Sequence, residues 1–214
     1  MIIQIKNLIP IPMVELDTRD SEIWETDSLS FPPGEKILLY AESGKGKTSL
    51  LSVIYGLRHD YKGEVYLDDK KLDHLSSFEV SDIRKNKISY IFQGLELFDE
   101  LTAMENIQLK NRQLHYRTAQ EITEIADTLE ISAFLDKKAG LLSFGQRQRV
   151  AIIRAFCQPF EILLADEIFS HLDEKLTNQA YQLLGKELQK RNAGILFTSL
   201  EKTERSFFTK SYRV

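Results

Sequence analysis

The segment AESGKGKT at Ala41–Thr48 constrains the fold more than any other stretch of this chain. It follows the apolar run Ile37–Tyr40 and precedes TSLLSVIYGL, where Leu50, Leu51, Val53, Ile54 and Leu57 recur at helical spacing. A strand, a glycine-rich loop and a helix are therefore expected in succession. Gly44 and Gly46 let the backbone curl so that successive N–H groups face one anion, and the helix that follows points its N-terminus at the same place. Lys47 can then reach the outer phosphates of a polyphosphate, and Thr48 can hold magnesium. A helix terminus contributes only about 0.3–2 kcal/mol towards an anion, so the lysine and the metal must carry much of the charge. The usual form of this motif opens with glycine. Ala41 requires the first turn to be made with φ below zero.

Two further segments carry chemistry. Ile162–Ala165 is a short apolar run ending in Asp166 and Glu167, which reads as a buried parallel strand delivering two carboxylates to its C-terminal edge. Ligands of open α/β sheets sit at that edge. The two carboxylates can divide the work, Asp166 holding the metal shell and Glu167 polarising an attacking water as general base. In LLSFGQRQRVAIIRAF, Ser143 stands at an N-cap position and Gly145 permits close approach, while Val150, Ile153 and Phe156 suit the buried face of the following helix. That makes a second helix N-terminus suited to anions. Standing alone, it would equally read as an ordinary capped helix with Arg147, Arg149 and Arg154 on a solvated face.

Taken together, these segments resemble the nucleotide-binding subunit of an ATP-binding cassette (ABC) transporter, and the resemblance covers essentially the whole chain. It implies an α/β fold: a P-loop NTPase cassette with a RecA-like core, an N-terminal antiparallel β lobe and a helical subdomain. It also implies ATP and Mg2+ as ligands. Ala41, Glu42, Ser43, Gly44, Lys45, Gly46, Lys47, Thr48 and Ser49 would bind ATP, and Thr48, Gln93 and Asp166 would hold magnesium. Gln93 of YIFQ matches the Q-loop glutamine, and Asp173 of SHLD matches the D-loop. In such a pair, Ser143, Phe144, Gly145 and Gln146 would close over the ATP held by a second ATP-binding subunit, arranged head to tail as a homodimer. The Gly94–Met104 stretch would lie beside the groove for a transmembrane permease subunit. GEVYLDD, IRKNKISYIFQ and LTAMENI resemble the lipoprotein-release, macrolide-efflux and cell-division branch, in which the partners act mechanically.

Three departures from the family pattern matter. Phe144 replaces the first glycine of the usual LSGGQ and is expected to pack on a neighbouring surface. Ser199 stands where the family has a switch histidine; serine is shorter and cannot be cationic. No Phe, Tyr or Trp occurs from Met1 to Ile23, where the family places an aromatic against adenine. Met13, Val14 or Pro12 can substitute for it; Trp24 falls late for that role without being excluded from it, and covering an edge of the N-terminal sheet is its expected role. Catalytic roles are expected for Glu167, Lys47, Gln93 and Ser199. Ser199 and the missing aromatic leave a low-turnover nucleotide switch as the alternative function. A soluble ABC ATPase acting on nucleic acid is disfavoured, because no room exists between Thr48 and Ser143 for a long coiled-coil arm.

The 214 residues suit one cassette, read as 1–75 (N-terminal β lobe and P-loop), 76–141 (mainly helical, including the amphipathic EITEIADTLEISAFLD) and 142–214 (signature helix and the rest of the core). A net charge of −4 gives no broad basic field, and Arg84, Lys85 and Lys87 read as a solvated helix end, so no nucleic-acid partner is expected. The longest apolar runs fall short of the roughly 18–20 residues that span a bilayer. The expected location is therefore cytoplasmic, peripheral at the inner face of the cell membrane through partner subunits. Cys157 is expected to be a small buried hydrophobe.

Overall fold

The computed structural model describes residues 1–15, 18–203 and 206–214. In chain order the elements are β1 (Ile3–Pro10), β2 (Leu29–Phe31), β3 (Lys36–Tyr40), α1 (Lys47–Ile54), β4 (Tyr61–Leu67), β5 (Lys70–Lys71), α2 (Ser77–Asn86) and β6 (Ile88–Ile91). They continue with α3 (Ala103–Asn111), α4 (Ala119–Thr128), α5 (Phe144–Phe156), β7 (Ile162–Asp166), α6 (Glu174–Arg191), β8 (Gly194–Ser199) and β9 (Lys210–Arg213). β2-β1-β4-β5 form an antiparallel sheet, and β6-β7-β8-β3-β9 form a parallel one. The α/β expectation holds.

Side chains on the parallel strands alternate between two cores, as a period of two demands. Leu38, Leu163, Ala165, Ile195 and Phe197 pack with Ile107, Ile122, Val150 and Leu184 from α3 to α6. Ile37, Leu39, Ile162, Leu164 and Leu196 pack on the opposite face with α1 and with Ile3, Ile5 and Val65 of the antiparallel sheet. A sheet covered on both faces can expose only its edges and its strand ends, and the strand ends are where a ligand must sit.

Local chemistry sets where the helices begin and end. α2, α3 and α4 each start with a reciprocal capping box: Ser76 with Glu79, Thr102 with Glu105, and Thr118 with Glu121. α1 stops at Ile54, because Gly56 turns left-handed at φ +74. Leu57, which helical spacing placed with the core, is consequently exposed. Arg84 is not merely solvated: it donates to the carbonyls of Tyr55 at 2.9 Å and Gly56 at 2.7 Å, closing the end of α1. The arginines of α5 also find partners. Arg149 donates to the carbonyls of Leu129 and Glu130, both at 2.9 Å, and Arg154 to those of Leu95 and Glu96, both at 2.5 Å. These bonds tie the α5 helix to the end of α4 and to the segment after β6. Cys157, at the end of α5, is buried, and burial pushes its thiol up to about 12. Among the described residues, no helix is long and apolar enough to cross a membrane.

Candidate functional site

Register brings the ends of four parallel strands to one level. Tyr40 pairs with Ser199, Asp166 with Thr198, and Ile91 with Ala165. The segments leaving these strands therefore meet: the loop after β3, Gln93 after β6, Asp166 and Glu167 of β7, and Thr198 and Ser199 of β8.

The loop has the conformation its glycines allow. Gly44 and Gly46 take φ of +82 and +96, and Ala41 stays out of the left-handed region. A Cβ at Gly46 would lie 2.6 Å from Met13 Sδ and 2.7 Å from the Trp24 ring, so space as well as φ requires glycine there. Trp24 is buried in the core shared with the antiparallel sheet and also reaches the loop. Its buried ring backs the loop, and its indole N–H donates to the Lys45 carbonyl at 3.2 Å. Gly46 is the N-cap of α1, so the helix opens directly onto the loop.

Lys47 is only 4% exposed, and three oxygens hold its ammonium. It donates to the carbonyls of Ala41 at 2.6 Å and Glu42 at 3.1 Å, and pairs with Glu167 Oε1 at 3.2 Å. Gln93 stands between Thr48 and Glu167: its Oε1 accepts from the Thr48 hydroxyl and its Nε2 donates to Glu167 Oε2, both at 3.4 Å. Glu167 adopts φ +52, which costs a non-glycine residue about 1–2 kcal/mol. Strain of this kind persists where the surroundings over-determine a geometry.

Thr198 is a site residue that sequence reasoning missed. Fully buried, it donates its hydroxyl hydrogen to Asp166 Oδ1 at 2.6 Å and accepts the Glu167 amide at 3.0 Å. It thereby fixes both acidic residues through one side chain. At Ser199 the hydroxyl accepts the Glu201 amide at 3.4 Å, and the carbonyl accepts the Ala41 amide at 3.2 Å. Gln148 of α5 was missed as well; it is buried and donates to the Glu167 carbonyl at 3.4 Å. An apolar strand ending in a threonine was the available signal for Thr198. Nothing local marked Gln148.

The other Asp166 oxygen, Oδ2, is buried without a hydrogen-bond partner. Burial raises the carboxyl above its ordinary value, the Thr198 and Thr48 hydroxyls oppose that shift, Glu167 adds to it and Lys47 lowers it. An orphaned carboxylate oxygen beside the Thr48 hydroxyl and the Gln93 carbonyl is a set of hard oxygen donors. That set fits a magnesium ion, which takes one or two carboxylates and leaves its other positions to water and phosphate. A cavity of about 320 Å³ opens here, lined by Ser43, Gly44, Gly46, Lys47, Thr48, Ser49, Gln93 and Glu167, with Pro12, Met13 and Arg58.

The signature residues do not line that cavity. Ser143 and Gln146 form a capping box at the start of α5. A Cβ on Gly145 would meet the His171 carbonyl at 2.9 Å, so this glycine permits the approach of the chain's own 170–173 segment. Phe144 packs on the His171 ring with centroids 4.4 Å apart. Asp173 caps α6 by accepting the Leu176 amide at 2.8 Å.

Comparison with known proteins agrees with this architecture. A family model described as ABC transporter matches residues 25–170. The lipoprotein-releasing system ATP-binding protein LolD 1 of Chlorobium chlorochromatii is 37% identical over 169 residues, covering 76% of this chain and 69% of its own length. The macrolide export ATP-binding/permease protein MacB of Campylobacter jejuni is 34% identical over 185 residues, which is 84% of this chain but 28% of that larger protein. Among solved structures, the dimeric cassette MJ0796 superposes with a TM-score of 0.81 at 28% identity, over 99% of this chain and 94% of that one. A dimeric post-hydrolysis form of the same cassette, bound to ADP and Pi, gives a TM-score of 0.75 at 29% identity, over 92% and 87% of the two chains.

Proposed function

This chain belongs to the ABC transporter family, in the branch of the lipoprotein-release and macrolide-export ATP-binding subunits, and from that premise we propose that it drives a membrane complex by binding and hydrolysing ATP as a dimer. The observation that carries the reading is the convergence of Lys47, Gln93 and Thr48 on Glu167 and Asp166 at one set of strand ends.

The loop amides of Ser43 to Thr48 and the Lys47 ammonium take the phosphates. Thr48, Gln93 and Asp166 would hold Mg2+, which would supply charge neutralisation to the phosphates. Glu167 accepts the proton of the attacking water, and Gln93 Nε2 orients the carboxylate that does so. Thr198 keeps the two acidic residues in their separate roles, bonding the Asp166 carboxylate and the Glu167 backbone. Ser143, Phe144, Gly145 and Gln146 lie outside this chain's own cavity, and Gly145 packs on the 170–173 segment that carries Asp173, which supports a role of both against a nucleotide held by the second subunit.

The permease contact falls on Gly94–Met104. Arg154 anchors the carbonyls of Leu95 and Glu96, and Asn106 brackets Phe98 by its amide and carbonyl, leaving the Phe98 ring 60% exposed. An apolar ring on a rigid frame suits a coupling contact. Location at the inner face of the membrane follows from that contact. Detergent extraction followed by pull-down of this chain is expected to bring a multi-spanning subunit with it, and Phe98→Glu is expected to lose that subunit. Recovery of the free chain alone, with the partner expressed, would count against the assignment.

Ser199→His is expected to raise ATP turnover at saturating nucleotide by about tenfold, a modest share of what general-base assistance supplies. The gain should vanish when Glu167 is also changed to Gln, because an imidazole at this place assists the base and does not replace it. Equal or lower turnover, with folding and ATP binding intact, would show that serine or a neighbouring group already fills the role.

A further inference from the structure

Two cavities border the phosphate loop: one beside Ala41–Lys45 is lined by Trp24, whereas the one that reaches Gly46–Ser49 has no aromatic lining among the described residues and carries one planar cation, Arg58. This guanidinium is held rigidly. Its Nε and Nη2 donate to the two carboxylate oxygens of Asp60 at 2.7 and 2.8 Å, and its Nη1 donates to Ser49 Oγ at 2.9 Å. Three of its five N–H donors are thus committed in the plane of the group, and Asp60 offsets much of its charge. With most of its edge occupied, the larger surface such a group offers a ligand is its face. Ser49 is one residue beyond Thr48, so Arg58 stands just past the phosphate-gripping end of the loop. The Ile11 amide donates to the Asp60 carbonyl at 2.8 Å, which joins this turn to Pro12 and Met13 on the same cavity.

We propose that Arg58 is the platform for the nucleobase: the purine stacks on the guanidinium face, with Pro12 and Met13 supplying apolar surface beside it. The inference rests on the ATP-binding reading above and adds the residue that holds the nucleoside end. With its charge offset by Asp60 and three donors already used, the guanidinium has less to give a phosphate, while its plane still stacks on a flat π system. Stacking reads no base edge, so ATP and GTP should bind with similar affinity.

The test is calorimetric titration of the full chain and its variants with Mg-ATP, Mg-GTP and inorganic tripolyphosphate. Fluorescence of Trp24, the only tryptophan and packed on Gly46, gives a second readout. Arg58→Ala should weaken ATP and GTP by about tenfold each, the size expected of one base on one planar group. Tripolyphosphate binding should change less than about twofold, since the loop and Lys47 are untouched. Arg58→Tyr should restore nucleotide affinity, and Arg58→Lys, which keeps the charge without the plane, should not. Unchanged ATP affinity in Arg58→Ala, or an equal loss for tripolyphosphate, would overturn the proposal. Should Arg58→Ala fail to fold, the Tyr and Lys variants decide the question between them. A parent chain that binds tripolyphosphate but neither nucleotide would overturn the stacking role, whereas one that binds none of the three would overturn the ATP-binding reading itself.

Discussion

Glu167→Gln is expected to slow ATP hydrolysis by about 10²–10⁴-fold while leaving ATP binding within a few-fold of the parent. Glutamine keeps the shape of the side chain and its place beside Gln93, but it cannot take a proton from water. The substitution also removes the carboxylate that pairs with Lys47 at 3.2 Å, so the lysine loses a competitor for phosphate and affinity has no electrostatic reason to fall. Because the product-forming step is blocked and binding is not, ATP should hold two subunits together. Light scattering should then report a dimer with Mg-ATP and a monomer without it. Turnover equal to that of the parent in a clean preparation would remove Glu167 from the role of general base.

Lys47→Ala is expected to weaken ATP binding by at least about 30-fold, and by up to several thousand-fold, the range for deleting one partner of a buried charge interaction. The physical cause is twofold. The substitution deletes the buried cation that meets the outer phosphates, and it leaves Glu167 and Asp166 as neighbouring carboxylates without a counter-charge. Alanine at the first position of α1 keeps the helix, so the loop conformation, set by Gly44 and Gly46, should survive. Calorimetry on the variant, with a thermal melt to verify folding, measures this. ATP affinity within threefold of the parent would mean that loop amides and metal carry the phosphates unaided. The two variants must separate: one binds without turnover, and the other does neither.

Much of the site was legible in the sequence because its parts are local. The strand–loop–helix around Ala41–Thr48 follows from an apolar run, two glycines that can take positive φ and a helical period, all within about twenty residues. The acidic end of β7 and the cap at Ser143 are equally local. Local reasoning failed where a distant partner decided the outcome. Arg84 reads as solvated until the end of α1 is brought against it, whereas Leu57 is exposed for a local reason, the turn at Gly56. Like the role of Arg84, the contact of Trp24 with the loop is not visible until the loop is packed on its ring.

What the sequence determined by itself is therefore the set of elements and their chemical termini: which runs are strands, where helices start, and which residues can face a phosphate or accept a proton. These depend on φ, side-chain period and capping, which act over a few residues. The tertiary structure alone decided which termini meet. The order β6-β7-β8-β3-β9 and its register set Gln93 beside Glu167, Thr198 across both acidic residues, Gln148 against the Glu167 carbonyl and Phe144 on His171. In each of these contacts the partners are remote in the chain, and strand order, set by burial on both faces of the sheet, is what brings them within hydrogen-bonding or packing distance.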